Sequence, residues 1–432
     1  MVKQRLFWAV VLLLHAGLWV KQVFLQHSLL QDAHEYLQSA HNLITHGNWY
    51  CADFVAPFKS EFFTKRPPGY PCFLAAVEGL CGGQNKVFFA IVYLLQNLIS
   101  IGLIYLLTQW LKPAIQTLTS PYTIISLLPG LALPIYANLI MSETLLSACL
   151  FLIVYYSFQT TFTNKHYLLI TLLAVAAMLI KPVFMPIAIV LPGLWLILGK
   201  RPSHKPLYSL ALLPLICFFT LLKINQNQTG YAQYSSISQI NLLHYNTYSL
   251  LIYQQGTHKA DSIIDQIRYE AQQNKSYAAQ LQYQQKACSQ ILQSNLLTYT
   301  YLHLRGMLMT TIDPGKFDYT QILNIPHEQN GLYHLNEQGI KRSLSLYLNP
   351  LGTWLILVAI SKLILLIWVG VYAFSKKEPL QSKIILVVIP LMVIGLTGPI
   401  GASRFLVPLL PIWYALALKG YATIAHSTPA AN

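Results

Sequence analysis

Ten nearly continuous apolar stretches punctuate the chain, at 6–25, 87–108, 122–141, 143–159, 166–180, 182–199, 206–224, 350–374, 384–400 and 405–420. Most approach the roughly 20 residues that a helix needs to cross a bilayer. The first follows Lys3 and Arg5, as a signal peptide would, but no small-residue cleavage pattern comes after it. An uncleaved anchor is the expectation. Between these stretches the pattern turns polar for long enough to fold in two places, about 26–86 and 225–349. In the first, Tyr36, Ala40 and Leu43 fall on one stripe of an expected helix over 31–44. In the second, Ile263, Ile264, Ile267, Leu281, Ile291 and Leu292 predict helices over 261–272 and 277–293. The apolar segment 296–312 carries His303 and Arg305 and is expected to lie along a membrane interface. The pattern therefore predicts an all-α polytopic membrane protein of about ten spans. Its segments are an N-terminal membrane module (1–224), an outer loop domain (225–349) and closing helices (350–432).

Charge sets the expected orientation. With the N-terminus inside and the spans alternating, the inner segments hold Lys3, Arg5, Lys112, Lys165, Lys200, Arg201, Lys205, Lys376, Lys377, Lys383 and Lys419. Glu378 is the single acid among them, and the other acids fall outside or at the outer boundary. That is the positive-inside asymmetry. It explains the net charge of +14 without a nucleic-acid partner.

Composition agrees. The chain is 432 residues long, 55% hydrophobic and 10% charged, far from the roughly 25% charged of a soluble domain. Phosphate-binding, dinucleotide-binding and simple zinc motifs are missing. Cys51, Cys72 and Cys81 share the first loop, and their spacing does not say which two would pair. Internal repeats are not evident, which argues against a transporter built from symmetric halves.

The first loop carries the candidate chemistry. Asp32 opens the 31–44 segment, with Glu35 close behind. A carboxylate there has two readings: a helix cap satisfying free backbone donors, or a base that takes a proton from an incoming hydroxyl. Further on comes Lys65-Arg66-Pro67-Pro68-Gly69-Tyr70-Pro71. The prolines pre-set the backbone, so the two cations are aimed with little residual freedom. Such a pair suits a phosphate, and it equally suits snorkelling among headgroups.

Taken in order, Asp32-Ala33-His34-Glu35-Tyr36-Leu37 after a first span and the Lys-Arg-Pro-Pro-Gly-Tyr-Pro run resemble the GT-C superfamily of integral-membrane glycosyltransferases. The similarity is to the branch holding protein O-mannosyltransferases and the lipid A aminoarabinose transferase. Asn138 to Leu145 resembles that family's Ser/Thr-Glu-Thr element, and Ile180-Lys181-Pro182 its basic-Pro step. Asn225…Thr229-Gly230…Ser235-Ser236 resembles its entry to the large outer loop, and Ser403 to Pro408 its late Arg-Phe…Pro element. The resemblance implies a GT-C-like bundle with a helical first outer loop and a larger, mostly helical second one.

It also implies an inverting transfer of a sugar from a polyprenyl-phosphate donor to a hydroxyl of a glycan, lipid or protein, outside a bacterial inner membrane. Asp32 would be the base, and Lys65, Arg66, Lys181 and Arg404 would hold the donor phosphate. Glu35 and Glu143 would support them, Glu143 either pairing with a cation or capping its helix. Some relatives carry a metal-binding acid just before the basic residue that precedes proline, and here that position is Lys65. Asp53, Glu61 and His34 have no ligand spacing, so no cofactor is firmly expected and a divalent metal lacks a clear motif. Lys362, inside a span, is given no role. A polymerase or ligase moving a pyrophosphate-linked glycan is the main alternative enzyme, and a transporter the alternative outside enzymes.

Overall fold

The computed structural model describes residues 2–25, 28–112, 128–159, 161–199, 201–323, 350–376 and 379–425. Among them there is no strand, and the chain is an all-helical integral membrane protein. Five helices are long and apolar enough to cross a membrane: Arg5–Leu25, Lys86–Trp110, Lys205–Thr229, Pro350–Phe374 and Ser403–Thr423. Shorter apolar helices stand at Leu128–Ala137, Glu143–Ser157, Asn164–Ile180, Pro182–Ile197 and Ile384–Leu396. Each of the ten apolar stretches thus has its helix. The first six residues of the 122–141 stretch and the 324–349 end of the second outer loop lie outside the described residues.

The largest buried cluster joins the membrane helices around Phe151, Trp195, Tyr372 and Trp413. Within it the Trp195 indole is satisfied, as apolar surroundings favour: its Nε1 donates to Ser157 Oγ at 2.6 Å. A second cluster lies beneath the first loop. There the helices Gln31–His46 and Gly69–Cys81 pack Tyr36, Tyr70 and Leu74 against Phe88, Tyr136, Leu139 and Val407. The first-loop helix is amphipathic as expected and ends at Gly47, whose φ of 64° accommodates the left-handed cap. The second loop forms Thr257–Gln272, Tyr277–Ser294 and Leu296–Ile312, close to the predicted helices. The last has Leu297, Tyr301, Leu304 and Leu308 exposed. Its other face, with Leu302, Gly306 and Thr310, is buried, and His303 Nε2 stands 2.7 Å from the Gly395 carbonyl.

Three interruptions in the membrane helices carry charged side chains. The chain leaves helix between Ala137 and Glu143. It does so again at Lys181, which is extended between Asn164–Ile180 and Pro182–Phe184. The third break is the run of short turns Gly398–Ile400, Ser403–Phe405 and Val407–Leu409. Glu143, Lys181 and Arg404 each sit at one of these breaks. A broken helix places a charged side chain at a chosen depth without leaving it within lipid-facing helix.

Candidate functional site

Asp32 and Glu35 lie three residues apart, so one helix face presents both carboxylates. Arg66 spans them: Nη2 donates to Asp32 Oδ1 at 2.8 Å and Nε to Glu35 Oε2 at 2.6 Å. Lys65 Nζ donates to the other Glu35 oxygen at 2.6 Å. Arg404, from the opposite end of the sequence, donates Nη2 to Asp32 Oδ2 at 3.1 Å. Both Arg404 and Lys181 lie over the Phe405 ring, at 5.3 and 5.9 Å from its centroid. Lys181 Nζ donates to Glu143 Oε1 at 2.5 Å. Next to Glu143, Ser142 Oγ is 3.4 Å from the Tyr36 hydroxyl. The Tyr36 ring, in turn, lies under the Arg66 guanidinium at 4.9 Å. The contacts therefore close into a ring of residues from five separate segments of the chain. All seven expected site residues are in it.

The ring settles two of the open readings. The helix cap is Leu30, without a side-chain cap bond, and both oxygens of Asp32 are taken by guanidinium groups. Asp32 is an ion-pair carboxylate and not a cap. Glu143 likewise pairs with Lys181, and no side chain caps its helix. Burial opposes the charge on Asp32. Arg66, then Arg404 and Lys181, outweigh that and hold its carboxyl down at about 2. Glu143 is fully buried, and its second oxygen, Oε2, has no hydrogen-bond partner. Four cations facing three carboxylates leave the ring electropositive.

Local sequence explains the aim of each cation. Segment 233–236 of the second loop binds the backbone of the Lys65 segment. Ser235 Oγ donates to the Lys65 carbonyl at 2.9 Å, Ser236 N to that of Thr64 at 3.2 Å, and Ser236 Oγ to that of Glu61 at 2.8 Å. Asn225 Nδ2 shapes this strap by donating to the carbonyls of Gln233 and Tyr234, at 2.8 and 3.0 Å. The Asn138 amide trades hydrogen bonds with Asn97 at 2.9 and 3.0 Å, and this fixes the break before Glu143.

Gly69 brings Lys181 close. A Cβ there would stand 2.7–2.8 Å from backbone atoms of Leu179 and Ile180. Backbone cannot yield as a flexible side chain can, so Gly69→Ala must push the Arg66 segment off the end of the Lys181 helix. We expect Gly69→Ala to lower thermal stability in detergent by about 1–3 kcal/mol, the usual range for overpacking. A melting curve equal to wild type would show that this approach is looser than the geometry implies.

No family model matches the chain, and no curated protein matches it. Among solved structures it is similar to a crystal structure of ArnT from Cupriavidus metallidurans bound to undecaprenyl phosphate. The identity is 13%, the match covers 96% of this chain and 77% of that one, and the TM-score is 0.38.

Among the described residues, no group of three or more His, Cys, Asp or Glu side chains is placed to hold a metal ion. Asp53, Glu61 and His34 form no such group. All six cysteines are free. A cavity of about 670 Å³ is lined by Leu14, Leu18, Ile135, Ile322 and Trp354 among others. Sequence reasoning missed a second buried polar group beside the ring. Asp318 is 4% exposed and accepts from the Tyr136 hydroxyl at 2.6 Å and from Ser403 Oγ at 2.9 Å. Lys362, inside its span, donates its ammonium to the Asp313 carbonyl. Two signals were available. Asp313-Pro314-Gly315 is a turn signature, and a lysine within a span calls for a partner.

Proposed function

We propose that this chain is a GT-C-type glycosyltransferase. It moves a sugar from a polyprenyl-phosphate donor to an acceptor hydroxyl, with inversion, on the outer side of a membrane such as a bacterial inner membrane. The observation that carries this reading is the ring itself. Two arginines and two lysines face three carboxylates, and both arginines converge on Asp32 of the first loop. Fixed cations of this kind stabilise the charge that develops on a departing phosphate, and arginine binds two phosphate oxygens at once.

In the reaction, the acceptor oxygen forms its bond to the anomeric carbon while the bond from that carbon to the phosphate oxygen breaks. The electron pair leaves with the phosphate, and the acceptor proton passes to Asp32. A carboxyl held at about 2 is a weak base. A phosphate that draws Arg66 and Arg404 to itself removes the two strongest opposing charges from Asp32. Its basicity then rises where the proton must be taken. Donor binding and base activation are coupled through the same two side chains. The apolar cavity beside Leu18, Ile322 and Trp354 offers the lining that a prenyl chain requires.

Purified protein incubated with a panel of labelled polyprenyl-phosphate sugars and a mixed acceptor extract tests the reading. One donor is expected to lose its sugar with release of polyprenyl phosphate, and a reporter fused at Gln272 is expected to read external. Transfer from pyrophosphate-linked glycans alone would favour a polymerase or ligase. Net movement of a solute without covalent change would favour a transporter.

A further inference from the structure

The buried group around Asp318 has no part in the chemistry above, yet it ends one residue from Arg404. Asp318 lies on the second-loop helix Lys316–Leu323. Its carboxylate accepts one hydrogen bond from Tyr136, on the helix that leads into the Glu143 break, and one from Ser403 Oγ. The backbone N–H of Ser403 donates to Asp313 Oδ2 at 2.8 Å, and Asp313 Oδ1 accepts from Gly315 N at 3.0 Å. Both the backbone and the side chain of Ser403 are thus tied to one turn of the second loop. That turn requires glycine. Gly315 has φ of 83°, and a Cβ on it would stand 3.1 Å from Asp318 Oδ2. We propose that Asp318 is a positioning residue. Through Ser403 its carboxylate fixes the short turn that aims the Arg404 guanidinium at Asp32 and at the donor phosphate.

This rests on the reading of Arg404 as a phosphate ligand. The groups facing Asp318 are few. Tyr136 comes from the 128–137 helix, Asp313 and Gly315 from its own turn, Lys362 from the 350–374 helix, and Ser403 from the last break. Tyr319, the next residue on its own helix, lines the same space, and Ile135, Val358 and Leu406 beside it are apolar. Burial pushes the Asp318 carboxyl up to about 6, the hydrogen bonds from Tyr136 and Ser403 opposing it. A folded-state value above the ordinary one means that this group favours the fold below the ordinary range, and loses that contribution as pH rises through about 6. The charged form is therefore the costlier one for the fold. It is also the only form that can accept from both Tyr136 and Ser403 without offering a proton of its own. Below about pH 6 the neutral acid must donate into one of these contacts, and the hold on Ser403 weakens.

The test uses full-length protein in detergent and two readouts. In Asp318→Asn, the KM for the polyprenyl-phosphate sugar is expected to rise about tenfold with kcat little changed, the size of one lost hydrogen bond to a charged group. The wild-type fall in donor affinity below pH 6 is expected to vanish in this variant. Tyr136→Phe removes one donor to the carboxylate, so the midpoint of that fall is expected to move to higher pH. Independently of activity, hydrogen exchange of the 401–409 peptide, corrected for intrinsic rate, is expected to be faster at pH 5 than at pH 7 in wild type, and fast at both in Asp318→Asn. Asp318→Asn with wild-type KM and wild-type pH dependence would overturn the proposal. So would a 401–409 exchange rate that ignores both pH and the substitution. If that exchange responds as expected while no donor in the panel is turned over, the positioning stands and the transferase reading falls. If transfer is found and the exchange is flat, the reverse holds.

Discussion

Asp32→Asn is expected to lower transfer by about 10²-fold or more, the lower end of what a positioned general base contributes. The substitution keeps the shape of the side chain and one acceptor for the guanidinium groups, and it removes the proton acceptor. It also removes the charge that pairs with both Arg66 and Arg404, so a structural explanation must be separated from a chemical one. Glu35→Gln supplies the control. Glu35 holds the same Arg66 through Nε and holds Lys65 as well. Losing it disturbs the cations at least as much, while leaving Asp32 free to act. If the ring is catalytic through Asp32, Asp32→Asn is nearly inactive and Glu35→Gln keeps most of its turnover. Equal losses in the two variants would mean that the acids only order the cations. The base would then have to be sought elsewhere, first at Glu143, whose Oε2 has no hydrogen-bond partner.

The difference between what was legible in the sequence and what was not follows from the range of each interaction. The apolar stretches are a local property, because a span must be apolar over its own length. All ten therefore have a helix in the structure, and the second-loop helices fall within a few residues of their predicted bounds. The candidate site residues were visible for a related reason. A charge at the end of a span, such as Lys181 or Arg404, is expensive enough to be conspicuous in one dimension. What the sequence left open was pairing. Nothing local says that Asp32 meets Arg404, which is 372 positions away. Both the capping reading of Asp32 and that of Glu143 were reasonable until those partners were known. Lys362 shows the same limit from the other side. It was noticed and left without a role, because its partner is the backbone carbonyl of Asp313, and a carbonyl has no signature in a sequence. Asp318 was overlooked because an acid in a Tyr- and Thr-rich outer segment looks like any solvated charge, and only burial against Tyr136 and Ser403 distinguishes it.

Arg404→Lys is expected to slow the reaction by roughly one to two decades, and Arg404→Ala by more. The side chain sits in the turn Ser403–Phe405, reaches Asp32 with one terminal nitrogen, and lies along the Phe405 ring. A guanidinium in that position has further N–H groups to offer a phosphate and keeps its charge under all conditions. A lysine ammonium is a point charge on a longer leash. It can replace the attraction to Asp32, but not a two-oxygen grip on the donor. Loss of one charge-assisted contact of this kind costs about 1.5–3 kcal/mol, which corresponds to roughly 10- to 150-fold in rate. The loss should follow the donor: binding of polyprenyl phosphate weakens, while the ranking of acceptor hydroxyls stays as in wild type. An anchoring role predicts the opposite pattern. A lysine snorkels as well as an arginine, so Arg404→Lys would then match wild type in both kcat and KM. Removing the side chain would lower stability without touching donor affinity. Equal kinetics for Arg404→Lys and wild type, together with intact polyprenyl-phosphate binding by Arg404→Ala, would take Arg404 out of the phosphate site and leave that task to Lys65, Arg66 and Lys181.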